Sequence, residues 1–435
     1  ANRVPEAVGR LFQQHLRDEI RLGDLATLAA LLENMVHSEA DVRLAAAFNA
    51  LDFPLASQLS TNQSTAVLET YMASFVMGSD AQQLRGNAET SKATMLRKLD
   101  DVLEQYPTWP NTQGFLQMIR QEVAPDQVDF SFPVLSAVVA EAGERYGRWQ
   151  SHECLELKHQ LLKHEEHPNT GRIRLSDFYG LALRGGHWQF SESVAYLRQL
   201  GALDESDPEV LRVIVPNYIL GPSNCIASSG YFSVCCIDEC DAKLRQLETT
   251  LGTSKASPDA ILSALRNATG AAPAVSGALQ RKLWEVAEHH GREVPLHGRL
   301  FAQWLHHLYP QECPFPHMSG TINPLHPDLF EEEVGQSVGA SQEEMVQHLE
   351  NAQWRKSPSF EEGLCSNMWT MEEELVDPQA AQATGASVPQ VPRAALRGLA
   401  LATAVGSLAV TVAKLMMTLR PESWKSSTTP KVYSV

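Results

Sequence analysis

Glu165–Leu183, EEHPNTGRIRLSDFYGLAL, is the stretch on which the fold turns. It follows HECLELKHQLLKHE, whose apolar spacing predicts a helix. Gly171 is followed two residues later by Ile173, and Asp177 opens the next helix. That is the skeleton of a calcium hand: a glycine for the sharp sixth-position turn and an apolar residue that pairs with a second loop. With Gly171 sixth, Glu166, Pro168 and Thr170 fall at the first, third and fifth positions, and Asp177 stands where a long bidentate glutamate belongs. Proline offers no side-chain oxygen, so this hand reads as degenerate.

A second hand follows. SESVAYLRQLGAL predicts the entering helix, DESDPEVLRVIV the loop and PNYI the exit. Val213 or Ile214 is positioned to pair with Ile173 across a short ribbon. Asp204, Glu205, Asp207 and Glu209 supply carboxylates, which makes Asp204 and Asp207 the calcium candidates. No glycine sits where the turn needs one, and an acidic solvated turn is the competing reading.

Two stretches hold five of the seven cysteines. Pro216–Cys240, PNYILGPSNCIASSGYFSVCCIDEC, carries Cys225, Cys235, Cys236 and Cys240, and Leu296–His317, LHGRLFAQWLHHLYPQECPFPH, carries Cys313. Cys154 and Cys365 lie apart. Helical spacing puts Cys236 and Cys240 on one face of an expected helix, with Cys235 turned away. Adjacent cysteines seldom bond each other, so Cys235 and Cys236 call for different partners. The preferred reading is one or two disulfides tying this helix to Cys225 and to Cys313. A thiolate metal site and buried free thiols remain as alternatives, although no Cys-X-X-Cys pair is present.

Histidines crowd the following segment. SGALQRKLWEVAEHH and HGRLFAQWLHHLY predict an antiparallel helix pair that brings His290 toward His306, with His297 near the turn. Three imidazoles at such a junction suit zinc, copper or iron. Histidines at helix C-termini also favour the negative end of the dipole, which is the plainer account. A Cys313 nucleophile with His307 or His317 as base is the other chemical option. No GxSxG, phosphate loop or dinucleotide fingerprint occurs, and no cofactor is identified. Trp284, Phe301, Trp304 and Tyr309 read as core.

The runs GRIRLSDFYG, WQFSESVAYLRQLGALDESDP, PNYILGPSNCIASSGYFSVCCIDEC and VPLHGRLFAQWLHHLYPQECPFPH together resemble a family of uncharacterised algal proteins. Its members are membrane-anchored and carry EF-hand-like segments with a Cys/His-rich core motif. The similarity spans residues 90 to 330, roughly. It implies an architecture and no activity.

Upstream, LFQQHLRDEIRLGDLATLAALLENMV, VRLAAAFNAL, STAVLETYMASFVM and KATMLRKLDDVLEQY read as helices, the third capped from Thr61-Asn-Gln-Ser and the last ending before Pro107. Downstream, ASQEEMVQHLENAQW reads as a helix capped by Ser341, and FEEGLCSNMWTMEEELVDP as a further amphipathic piece. A linker rich in Ala, Pro and Gln leads to Ala395–Leu419, ALRGLALATAVGSLAVTVAKLMMTL. Its apolar length of about 22 residues suffices to span a bilayer. Gly398, Ala402 and Gly406 recur every fourth residue and offer a smooth packing strip. Basic residues lean toward its C-terminal side, favouring an external or lumenal body; an organelle membrane such as the thylakoid is the alternative.

The expected fold is therefore mainly α: a multi-helix body with a degenerate EF-hand-like pair and one C-terminal transmembrane helix. The expected divisions are an N-terminal helical domain (1–125), the hand pair (126–222), the Cys/His-rich core (223–330), an acidic helix and linker (331–393), the membrane helix (394–420) and a basic tail (421–435). A net charge of −17 over 435 residues excludes a nucleic-acid partner, since phosphate binding needs basic patches. The expected function is structural: a body held at a membrane to bind other membrane proteins, as an accessory subunit without catalysis. A metal- or thiol-dependent enzyme and a calcium-responsive membrane protein are the alternatives.

Overall fold

Among the described residues the seven strands are each two or three residues long, and six of them run almost directly into a helix. The computed structural model describes residues 22–375, apart from 79–83, 85–87, 107, 186–188, 208, 227–228, 230–231, 268–273 and 354–367. Within these residues the chain is mainly α. Its helices are α1 (Leu22–Ala50), α2 (Thr61–Val76), α3 (Ala88–Gln105), α4 (Trp109–Val123), α5 (Phe132–Leu162), α6 (Leu175–Gly185) and α7 (Val194–Gln199), then α8 (Val215–Ile219), α9 (Glu239–Leu251), α10 (Pro258–Asn267), α11 (Gly277–His289), α12 (Arg299–Leu308), α13 (Pro327–Val334) and α14 (Gln342–Gln353). The strands are β1 (Leu59–Ser60), β2 (Asp129–Phe130), β3 (Arg172–Arg174), β4 (Leu203–Asp204), β5 (Arg212–Ile214), β6 (Lys255–Ala256) and β7 (Val294–Pro295).

The strands pair antiparallel in three ribbons. β1 joins β2 with Leu59 opposite Phe130; β3 joins β5 with Ile173 opposite Val213; β6 joins β7 with Ala256 opposite Val294. Each ribbon joins two helix–loop–strand–helix units, so the arrangement expected once, around Ile173, occurs three times. β4 adds a third strand to the middle ribbon by pairing with β5. The longest helix among the described residues, α5, has 31 residues and a length of about 46 Å. It leaves the first ribbon and enters the loop of the second.

Three apolar cores follow the three ribbons. Phe48, Tyr71, Phe75, Phe115 and Tyr146 centre the first, and Ile173, Phe178, Tyr179, Tyr218 and Phe330 the second. Ile261, Leu283, Phe301 and Trp304 centre the third. The expected division at 125/126 falls just before β2, whereas the first two cores separate along α5, between Tyr146 and Cys154. The expected division at 330 falls inside α13, whose Phe330 packs into the second core. All described residues belong to one compact unit, which ends at Leu375.

Local signals account for most boundaries. Ser276, Ser193 and Ser341 accept amides in the first turns of α11, α7 and α14. The cap of α2 is Ser60 rather than the expected Thr61: its hydroxyl accepts from the Gln63 amide while Gln63 Oε1 accepts from the Ser60 amide, a reciprocal box. Gly171 has φ +64°, and a Cβ there would overlap the Pro310 carbonyl, so both conformation and close approach demand glycine.

Three expectations need correction. No helix contains Cys235 or Cys236; α9 starts at Glu239, where Asp238 caps it, because FSVCC is extended and Val234 bridges Ile226. Of the expected amphipathic piece FEEGLCSNMWTMEEELVDP, only Met368–Leu375 is described, and it contains no helix. Trp284 is 42% exposed, while Phe301 and Trp304 are buried as core. Ala395–Leu419, with Gly398, Ala402 and Gly406, lies outside the described residues, among which no helix is long and apolar enough to cross a membrane.

Candidate functional site

The two loops of the middle ribbon meet at five charged side chains, Glu166, Arg172, Arg174, Asp204 and Arg212. β3 and β5 place Arg174 opposite Arg212 and bury Ile173 and Val213 completely on the other face. Two guanidinium groups side by side repel, and Glu166 lies between them. Its Oε1 accepts from Arg174 Nε at 2.7 Å and its Oε2 from Arg212 Nε at 2.6 Å. Burial alone would raise the Glu166 carboxyl, but the hydrogen bonds and charges of Arg212 and Arg174 hold it below the usual glutamate range.

Arg172 serves the other loop. Its Nε donates to Asp204 Oδ2 at 2.7 Å, Nη1 to the Thr170 carbonyl at 3.0 Å, and Nη2 reaches His306 Nε2 at 3.2 Å and Met368 Sδ at 3.4 Å. Asp204 is 3% exposed. Its burial would raise it, yet Arg172 and the Ser206 bond bring it below the aspartate range. Since Arg172 Nη2 donates, His306 Nε2 accepts, which puts the imidazole proton on Nδ1, 2.7 Å from the Cys313 carbonyl. Burial first, then the Arg172 charge, keeps His306 neutral far below the usual histidine range. Burial likewise pushes His307 down to about 4, with Arg172 and Lys282 adding to it.

Each loop is thus closed by arginine. In the first, Glu165 rather than Glu166 secures the turn, accepting from the Asn169 and Gly171 amides. In the second, Asp204 is committed to Arg172 and Ser206, and Asp207 accepts the Glu209 amide. A cation taking Glu166 or Asp204 as a ligand must compete with a guanidinium.

The remaining candidates disperse. His290 pairs with Glu373 at 2.6 Å, His297 with Glu248 at 2.5 Å, and His306 with Arg172 and Cys313. The structure does not bring the three imidazoles to one centre, and no group of three or more His, Cys, Asp or Glu side chains among the described residues is placed to hold a metal. The cysteines form Cys154–Cys236, Cys225–Cys235 and Cys240–Cys313. Bonds to Cys225 and Cys313 were expected; Cys154 was not, and Cys313 is a bridged sulfur instead of a nucleophile. Cys235 and Cys236 take opposite partners because successive side chains of an extended chain point to opposite sides. Cys365 lies outside the described residues.

Sequence reasoning passed over Arg172, Arg174 and Arg212. The signal was present: RIRLSDFY and RVIVPNYI set arginine, ribbon residue and helix start in the same order. No family model, curated protein or solved structure matches this chain.

Proposed function

We propose that this chain is a membrane-anchored interaction subunit whose helical body, built on EF-hand-like pairs, has exchanged ion binding for internal arginine bridges. The observation that carries this reading is the Arg172–Asp204 and Arg174–Glu166–Arg212 arrangement. It gives each loop of the middle pair a fixed cation of its own, so the pair stays assembled without calcium. Three disulfides favour an oxidising compartment, in line with an external or lumenal body. Ala395–Leu419 supplies the anchor, and Gly398, Ala402 and Gly406 a strip for another membrane helix.

Calorimetric titration of the full chain with calcium is expected to give no binding heat at 1 mM, on the order of extracellular-module affinities, and no shift in melting temperature. Stoichiometric calcium would revive the calcium-responsive reading, and stoichiometric zinc, copper or iron in the purified protein would favour an enzyme. Alkaline carbonate extraction tests the anchor: the chain should stay in the membrane pellet, and release into the supernatant refutes a spanning helix.

A further inference from the structure

Met368–Leu375, MWTMEEEL, runs extended across α12 and is held mainly by polar contacts. Gln303 reads both backbone groups of one residue, donating from Nε2 to the Thr370 carbonyl at 3.1 Å and accepting the Thr370 amide on Oε1 at 3.2 Å. Arg299 Nη1 donates to the Thr370 hydroxyl and the Glu372 carbonyl, each at 2.9 Å. Glu373 Oε1 accepts the Leu300 amide in the first turn of α12 at 3.0 Å, and its Oε2 meets His290. Trp369 stacks on His307 with centroids 5.7 Å apart, and Lys282 Nζ sits over the indole at 5.2 Å.

The face beneath is unusual. Arg299, Gln303 and His307 recur every fourth residue and form one stripe, 6%, 0% and 8% exposed. The opposite face of α12 fills the third core with Leu300, Phe301 and Trp304. A stripe of polar side chains contributes little to core packing, yet Arg299 and Gln303 match the backbone and hydroxyl of the segment and His307 its indole, with the Glu373 carboxylate held beside the stripe by His290 and the Leu300 amide. The segment above stays shallow, with Thr370, Met371, Glu372 and Leu375 exposed.

We propose that this stripe is a recognition groove for extended acidic peptides of the pattern Trp-Thr-X-X-Glu-Glu. Met368–Leu375 is its resident occupant in cis, and a partner protein bearing the same pattern displaces it. Charge complementarity supports the choice at His290, which meets the Glu373 carboxylate, while Lys282 lies over the Trp369 indole and Arg299 donates to the Glu372 carbonyl. The inference rests on these contacts and stands independently of membrane anchoring.

A tethered segment presents itself at millimolar effective concentration, roughly, so a free peptide of equal affinity competes poorly until the tethered copy is weakened. The test uses full-length protein and a labelled peptide, NMWTMEEELV, read by fluorescence anisotropy. The W369A/E373K variant is expected to bind at least tenfold more tightly than the wild type, and a peptide carrying Glu373→Lys should lose that gain. A folded variant that binds no better than wild type overturns the proposal. So does a variant that dimerises in light scattering, since a second copy would then be the occupant. Should the variant fail to fold, hydrogen exchange on the wild type decides. The Thr370 amide is expected to exchange at least tenfold faster than the Trp304–Leu308 amides, and equal protection would mark a permanent part of the core.

Discussion

Arg172 spends every side-chain nitrogen on a partner, and its removal would leave Asp204 charged and buried with its ion pair gone. Breaking such a pair costs about 3–5 kcal/mol. Arg172→Met should therefore lower the urea unfolding free energy by that amount, while Arg198→Met, which breaks an exposed pair with Glu205, should change it by less than about 1 kcal/mol. Similar losses for the two would deny Arg172 its bridging role. A second prediction comes from two buried groups with opposite signs. His307 titrates at about 4 in the fold and at about 6.5 in the unfolded chain. Between those values the unfolded chain holds the extra proton, so stability falls as pH falls, by about 1.4 kcal/mol per pH unit at most. Burial raises Glu192 to about 7. From about 4.5 to 7 the folded chain holds the extra proton, so that contribution is lost as pH rises. His307→Gln should reduce the slope of stability against pH between 5 and 6.5 by about one proton, and Glu192→Gln should increase it by about one. Denaturant melts across that window measure both, and parallel profiles for the two variants would contradict the assignment.

The elements were legible wherever a periodic stripe met a cap or a proline. STAVLETYMASFVM, SGALQRKLWEVAEHH and ASQEEMVQHLENAQW all form helices near their expected bounds. Ile173 against Val213 or Ile214 was readable because a glycine two residues ahead of a branched residue leaves few pairings, and the register pairs it with Val213. The first and third ribbons were not, because two-residue strands such as Leu59–Ser60 and Lys255–Ala256 carry no alternation to detect. Their loops also lack the acidic run that drew attention to 204–209. The site was legible only in part. Asp204 was singled out for its oxygens, but its partner lies 32 residues away on another strand, and spacing alone does not reveal such a bond. Gly171 offers a direct test at this scale. Gly171→Ala introduces both a positive-φ penalty and an overlap with Pro310. It should destabilise by more than about 2 kcal/mol in denaturant melts. Gly252→Ala, also at positive φ but with open space around it, should cost no more than about 1–2 kcal/mol. Equal costs would remove steric approach from the account.

Across the whole body, covalent and non-covalent ties are unevenly shared. Cys154–Cys236 closes a loop of 82 residues and Cys240–Cys313 one of 73, whereas Cys225–Cys235 spans 10. Loop-closure entropy then assigns about 4.5 kcal/mol to each long loop and about 3 kcal/mol to the short one. The first core, from Leu44 to Tyr146, precedes both long loops, apart from the contribution of Val234. The third core lies almost entirely inside the 240–313 loop. Reduction should therefore loosen the body from its C-terminal end: α9–α12 lose protection first while α2 and α4 keep theirs. The middle ribbon should hold longer than the third core, since its arginine bridges need no oxidant. Hydrogen exchange followed by mass spectrometry, with and without reductant, distinguishes the cores in one experiment. Simultaneous loss in all three would mean that α5, running from the first core into the second, transmits unfolding along its length and that the disulfides act on the body as a single cooperative unit.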